Sequence, residues 1–330
     1  MPLPDPGSGR RDSGGNGRGL GLGLETESRL LDSLGDVRLA SGVRWLVLCT
    51  LLACETTARG PAADGPGRDH VVPVAAVDAG TSDDGSVRGE DVARDPSSVP
   101  LEAPSPFLEM EVEGHGTAIV SVPRGATSRR PVLVATHGNY DRPEWQCEVW
   151  RGIVGDRGFV LCPRGNARPD SPAPDDIRFT YPQNAALEKE IDDDLAALRE
   201  RFPDHVDPGS MIYAGFSLGA IMGVTILSRG RNAERFPRAV LVEGGHDKWT
   251  PAAVKAFASG GGQRVLFACA QPGCASDAKR VATLLDKAGV ATRTLYGGKN
   301  LGHRYDGPVA DGIADVFGWL VEGDARWETR

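Results

Sequence analysis

From residue 107 onward, short and wholly apolar runs alternate with segments of helical period. Residues 131–136, 158–162, 211–214, 239–242 and 265–269 are each four to six residues long and rich in Val, Leu, Ile and Ala. Such runs are short for helices and lack the polar alternation of a half-exposed strand. They fit strands buried on both faces. Between them lie segments that read as helices. Leu187, Ile191, Leu195 and Leu198 recur at helical spacing on a charged background. Residues 144–154, 251–258, 277–287 and 309–320 are further helices, the third stopped by Ala288-Gly289. Leu218–Leu227 is apolar on nearly every face, so it is predicted to be a helix packed inside the protein. Residues 110–112 and 117–122 read as a leading antiparallel pair, and 292–296 as the last strand. This β-α alternation predicts an α/β domain: a mostly parallel central sheet of about eight strands with helices on both faces.

The chain has 330 residues, and that core cannot extend through all of them. Residues 1–106 hold 16 of the 43 glycines and 10 of the 24 prolines but a single aromatic, Trp45, whereas the other 19 aromatics lie in 107–330. The first third therefore lacks the material for a core. Residues 1–42 read as a disordered leader, or as a stretch that precedes the true start of translation. Residues 43–54 place Arg44 before a short apolar run that ends Leu51-Leu52-Ala53-Cys54. This resembles a bacterial lipoprotein signal segment, with Cys54 as the acylated residue. Residues 55–106, rich in Gly, Pro, Asp, Ser and Ala, read as an acidic flexible tether before a catalytic domain at 107–326. The resemblance implies a bacterial cell envelope protein, periplasmic or on the outer surface, held to the membrane through an N-terminal lipid anchor.

The formal net charge of −8 argues against a nucleic-acid partner, which needs a basic footprint. No apolar run approaches the roughly 20 residues of a spanning helix. Four cysteines fall in the domain. Cys147 with Cys162, and Cys269 with Cys274, are close in sequence and bracket predicted loops, so these are the expected disulfides; four buried free thiols are the alternative. No Cys-x-x-Cys or His-x-x-x-His spacing points to a metal, and no cofactor is implied.

The chemistry is concentrated in Gly215-Phe-Ser217-Leu-Gly219, between a predicted buried strand and a predicted buried helix. A serine at such a turn is held in a strained backbone, flanking glycines let neighbouring chains approach, and the helix N-terminus offers positive potential to an oxyanion. A phosphate loop would need a Lys-Ser/Thr after the glycines, and none follows.

With this motif the chain from about 107 to 322 resembles the α/β-hydrolase superfamily. Two further features stand in that superfamily's order. The strand at 131–136 ends in His137-Gly138-Asn139-Tyr140, and the loop after the last strand reads Gly297-Gly-Lys-Asn-Leu-Gly302-His303. The resemblance implies Ser217 as nucleophile and His303 as its base. It implies an oxyanion hole from the N–H of Leu218 with that of Asn139 or Tyr140. His137 is expected to stabilise its own turn and not to act as a base, and to stand beside the substrate. The acid departs from the usual pattern, because the loop 270–276 holds no carboxylate. Glu243, at the end of the preceding strand, is the preferred acid, since a carboxylate there is costly unless used or paired. Asp277 is the alternative and Asp247 a lesser one.

Acyl transfer to water through an acyl-enzyme is the expected reaction, on a small-molecule or polymeric carboxylic ester or amide. Residues 164–186, Pro-rich and without clear period, are expected to form a small lid, with Tyr140, Trp145 and Tyr181 as pocket walls. A surface binding protein on an inactive hydrolase scaffold is the alternative, motivated by the missing acid.

Overall fold

The computed structural model describes residues 99–328. The leader 1–42, the segment 43–54 with Cys54, and the tether as far as residue 98 lie outside the described residues. In chain order the elements are β1 (Phe107–Met110), β2 (Ala118–Ser121), β3 (Val132–Thr136), α1 (Pro143–Val154), β4 (Phe159–Cys162), β5 (Asn166–Ala167), β6 (Phe179–Thr180), α2 (Asn184–Arg201), β7 (Ile212–Phe216), α3 (Leu218–Leu227), α4 (Asn232–Arg235), β8 (Arg238–Val242), α5 (Pro251–Ser259), β9 (Arg264–Cys269), α6 (Pro272–Lys287), β10 (Ala291–Tyr296) and α7 (Pro308–Val321).

Eight strands form one sheet in the order β1-β2-β4-β3-β7-β8-β9-β10. The β1–β2 and β2–β4 pairs are antiparallel and all others are parallel. The apolar runs are continuous because the pleat feeds both faces. In β3, Val132 and Val134 join one core with α2, α3, α5 and α6, while Leu133 and Ala135 join a second core with α1 and α7. The five residues of β3 are all buried, and its one polar side chain, Thr136, is met by Tyr213 Oη at 3.0 Å and Ala214 O at 3.2 Å.

The connectivity also places the functional crevice. From β3 the chain passes to β4 on one side, then returns across β3 to β7 and continues to β8 on the other side. The carboxyl ends of β3 and β7 thus sit at the point where the winding reverses, which in open α/β sheets is where ligands bind.

Both expected disulfides are present: Cys147–Cys162 joins α1 to β4, and Cys269–Cys274 joins the end of β9 to the first turn of α6. Several details differ from the sequence expectations, among them β1, which runs over 107–110 and not 110–112, and the unexpected α4. α6 begins at Pro272, not 277; Pro and Gly read as a loop, yet Pro is compatible with the first turn of a helix. The stretch 164–186 contains the two-residue strands β5 and β6, which pair antiparallel and are too short for any periodic signal. Residues 101–106 belong to the folded body and not to the tether. Leu101 is buried, its N–H donates to Ala126 O at 2.9 Å, and Pro106 O accepts from Val122 N at 3.0 Å.

Candidate active site

Ser217 is the single residue between β7 and α3, with φ 49° and ψ −110°. A non-glycine residue there costs about 1–3 kcal/mol, and the surrounding bonds hold it in place. Its N–H donates to Val242 O at 2.9 Å and its carbonyl accepts from Ile221 N at 2.9 Å. The two flanking glycines are required by close approach. A Cβ at position 215 would lie 2.7 Å from Ala220 N, and one at 219 would lie 2.5 Å from Thr136 Oγ1. Substitution at either would push α3 off β7 and β3.

A hydrogen-bonded chain starts at this serine. Ser217 Oγ is 2.8 Å from His303 Nε2, and His303 Nδ1 is 3.1 Å from Glu243 Oε2. His303 lies on the loop between β10 and α7, with its ring 4.9 Å from that of Phe216. Glu243 follows β8 directly and is buried, with a positive φ of 48°. Its second oxygen, Oε1, accepts from Ala270 N at 2.6 Å and Gln271 N at 2.9 Å. Burial alone would raise its pKa. The His303 ring and the two amide donors outweigh that and hold the carboxyl below its ordinary value. Both oxygens are therefore engaged, and the carboxylate keeps Nδ1 of His303 as the donor and Nε2 as the acceptor facing the serine hydroxyl. Asp277 is elsewhere. It sits inside α6, half-exposed, and pairs with Arg280 at 3.2 Å and with His246 at 3.9 Å. Asp247 pairs with Lys248 at 2.7 Å, on the surface.

The turn after β3 lies against the serine: a Cβ at Gly138 would be 3.3 Å from Ser217 Cβ. Leu218 opens α3, so its N–H has no carbonyl to meet within the helix. Of the two residues expected to supply the second donor, Tyr140 is excluded, because its N–H donates to Phe179 O at 3.0 Å. Asn139 remains, with its side-chain Oδ1 accepting from Arg168 Nη1 at 2.8 Å. Sequence reasoning missed Asp141, which organises this turn. Its buried carboxylate accepts from Gly138 N at 3.3 Å, Arg142 N at 2.8 Å, Gln146 Nε2 at 3.3 Å and Tyr305 Oη at 3.3 Å. It ties the turn to α1 and to the loop that carries His303. An Asp three residues after a His-Gly pair and just before a helix was the available signal.

Two of the expected substrate contacts are structural. His137 is fully buried, with Nδ1 2.7 Å from Gly138 O and Nε2 2.8 Å from Arg164 O. Its ring stacks on Tyr181 at 4.3 Å. Tyr181 is also buried, and its hydroxyl accepts from His137 N and donates to Pro163 O. Both fasten the turn to the segment after β4, and neither presents a face to a ligand. Trp145 and Tyr140 are exposed, in a cluster with arginines from the 164–186 stretch. The Arg178 guanidinium lies 4.4 Å from the Trp145 ring, and that of Arg168 5.4 Å from the Tyr140 ring. These arginines were not singled out from the sequence.

The eight-stranded sheet, its winding reversal at β3, and a serine at a strained strand-to-helix turn backed by a histidine and a buried carboxylate define the α/β-hydrolase fold. No family model and no curated protein matches the chain. Among solved structures, TT1662 from Thermus thermophilus is similar at 15% identity and TM-score 0.47, over 68% of this chain and 98% of that one. Esterase PE8 is similar at 15% identity and TM-score 0.43, over 64% and 100%. An S-formylglutathione hydrolase from Agrobacterium tumefaciens is similar at 17% identity and TM-score 0.43, over 66% and 93%.

Proposed function

We propose that the protein is a serine hydrolase that cleaves carboxylic esters, in preference to amides, through an acyl-enzyme. The observation that carries this is the continuous chain from Ser217 Oγ to His303 to Glu243, with the last carboxylate buried and fully hydrogen-bonded. His303 Nε2 takes the hydroxyl proton as Ser217 Oγ attacks the acyl carbon, and Glu243 stabilises the imidazolium that forms. The amides of Leu218 and Asn139 receive the oxyanion. His303 returns the proton to the leaving alcohol. Water, deprotonated by the same nitrogen, then releases the acid. The loop after β9 holds no carboxylate, which motivated the binding-protein alternative; the contact of Glu243 Oε2 with His303 Nδ1 at 3.1 Å supports the enzyme reading instead. Small-molecule and polymeric esters both fall within this reading.

The test is labelling of the full chain with a fluorophosphonate, alongside hydrolysis of short-chain aryl esters and the matching amides. Labelling that disappears in both Ser217→Ala and His303→Ala is expected. Labelling that persists in Ser217→Ala overturns the assignment of the nucleophile, and equal turnover of amides overturns the ester preference. Export and lipid anchoring at Cys54 are part of the same proposal, supported by the segment 43–54 and by two disulfides, which persist in oxidising compartments. Mass spectrometry of the mature N-terminus checks it: a diacylglyceryl-modified Cys54 is expected, and an unmodified peptide spanning Ala53-Cys54 from the native host removes the anchor.

A further inference from the structure

Four residues lie between Cys269 and Cys274, and two of them supply the amides that hold the acid. β9 ends at Cys269, α6 begins at Pro272, and Ala270 and Gln271 span the gap with both N–H groups on Glu243 Oε1. The two sulfurs and a Glu243 oxygen all lie within 4.8 Å of one another. Cys269 O also accepts from Gly297 N at 2.8 Å, where the chain leaves β10 toward His303. A cross-link placed for stability alone needs no relation to the carboxylate. This one closes a small ring around its two donors and fastens the N-terminus of α6, whose positive end favours the anion, to the strand beside Glu243.

We propose that the Cys269–Cys274 disulfide is a positioning element of the proposed relay: it fixes the Ala270 and Gln271 amides on Glu243 Oε1 so that Oε2 stays on His303 Nδ1. This rests on the serine-hydrolase reading of the site. With the bond open, the first turn of α6 frays, as helix ends without fixed partners do. Glu243 then loses one or both donors, and its hold on the imidazole loosens. Opening by an external dithiol balances simply. Two electrons and two protons pass to Cys269 and Cys274, which become thiols, and the dithiol closes to its own cyclic disulfide. Activity therefore tracks the oxidation state of a bond that never touches substrate.

The experiment is a double-mutant cycle on the full chain, with ester hydrolysis resolved into kcat and KM. Cys274→Ala is expected to lower kcat by about 10- to 100-fold, a part of the roughly 10⁴-fold that loss of the orienting carboxylate costs in serine proteases, with KM unchanged. In a Glu243→Gln background the same change is expected to cost nothing further in kcat, because there is no carboxylate left to position. A purely structural bond would lower kcat in both backgrounds alike or in neither, and either result overturns the proposal. Cys147→Ala/Cys162→Ala is the control, expected to lose stability and keep kcat. Should Cys274→Ala not fold, kcat of the native chain is followed against the fraction of the 269–274 bond reduced by dithiothreitol, mapped by alkylation and mass spectrometry. Constant kcat as that fraction rises overturns the proposal. A native chain whose turnover survives Ser217→Ala fails the hydrolase reading itself and takes this inference with it. Ser217-dependent turnover that ignores the disulfide fails the inference alone.

Discussion

At the scale of single residues, the arrangement turns on Glu243. A buried carboxylate is expensive unless every oxygen is met, and here two backbone amides and one imidazole meet them. Glu243→Gln keeps the shape and removes the charge. We expect kcat to fall about 10²- to 10⁴-fold with little change in KM, by the logic of an imidazole left in the wrong tautomer; steady-state kinetics on an aryl ester checks it. The stability consequence has a definite sign. The folded carboxyl ionises below its ordinary value, so its contribution is complete above the unfolded value of about 4.3. It is lost as pH falls through the lower folded one. Denaturant titrations between about pH 5 and 3 should show a steeper loss for the native chain than for Glu243→Gln. Unchanged slopes would mean that the amides do not hold the anion.

At the scale of elements, α2 carries the clearest local conflict. Asp194 lies on the helix face that also buries Leu187, Ile191, Leu195 and Leu198. Neither of its carboxylate oxygens has a hydrogen-bond partner. Burial first, then the charges of Glu190 and Asp193, push its pKa up to about 8. The folded state therefore holds a proton that the unfolded chain releases near pH 4. Stability from this residue should decline as pH rises from about 4 to 8, by up to ~1.36 kcal/mol per pH unit, and stay low above that. Asp194→Asn should flatten the decline and be the more stable protein at pH 9, measured by thermal unfolding at pH 5 and pH 9. Greater stability of the native chain at the higher pH would sink this account. In the sequence this residue looked like part of the charged background of an amphipathic helix, because spacing cannot tell which side a wide apolar stripe includes.

Across the whole molecule, residues remote in sequence close one of the sheet's two cores. Trp327, after the last helix, is buried with its ring against Phe317 at 5.7 Å. A Cβ at Gly158 would lie 2.7 Å from it, at the start of β4. Trp327→Ala should cost about 3–5 kcal/mol, as large aromatic truncations in cores do. Opening Cys147–Cys162, which spans 15 residues between α1 and β4, should cost about 3 kcal/mol through the freedom returned to the unfolded chain. Urea unfolding of each variant measures both. A loss under about 1 kcal/mol for Trp327→Ala would mean the C-terminal turn is not part of the cooperative unit.

The sequence by itself determined the class of fold and the elements that flank the serine. A strand buried on both faces is apolar along most of its length, and a helix inside the protein is apolar nearly all round, so β3, β7, β8, β9 and α3 are written locally. Ser217 and His303 were legible for the same reason: each lies beside a strong local pattern, the glycine-bracketed turn and the Gly-His before the closing helix. Only the tertiary structure decided which carboxylate meets His303, because that depends on where the ends of β8, β9 and β10 fall in space. Glu243 is 60 residues from the histidine in sequence and 3.1 Å from it in the fold. The tertiary structure likewise decided that Tyr140 has its amide spent on Phe179, that His137 and Tyr181 brace a turn instead of lining a pocket, and that Asp141 gathers four donors. Hydrogen bonds between distant segments leave no period in a sequence, and they are what separates a residue near a site from a residue of it.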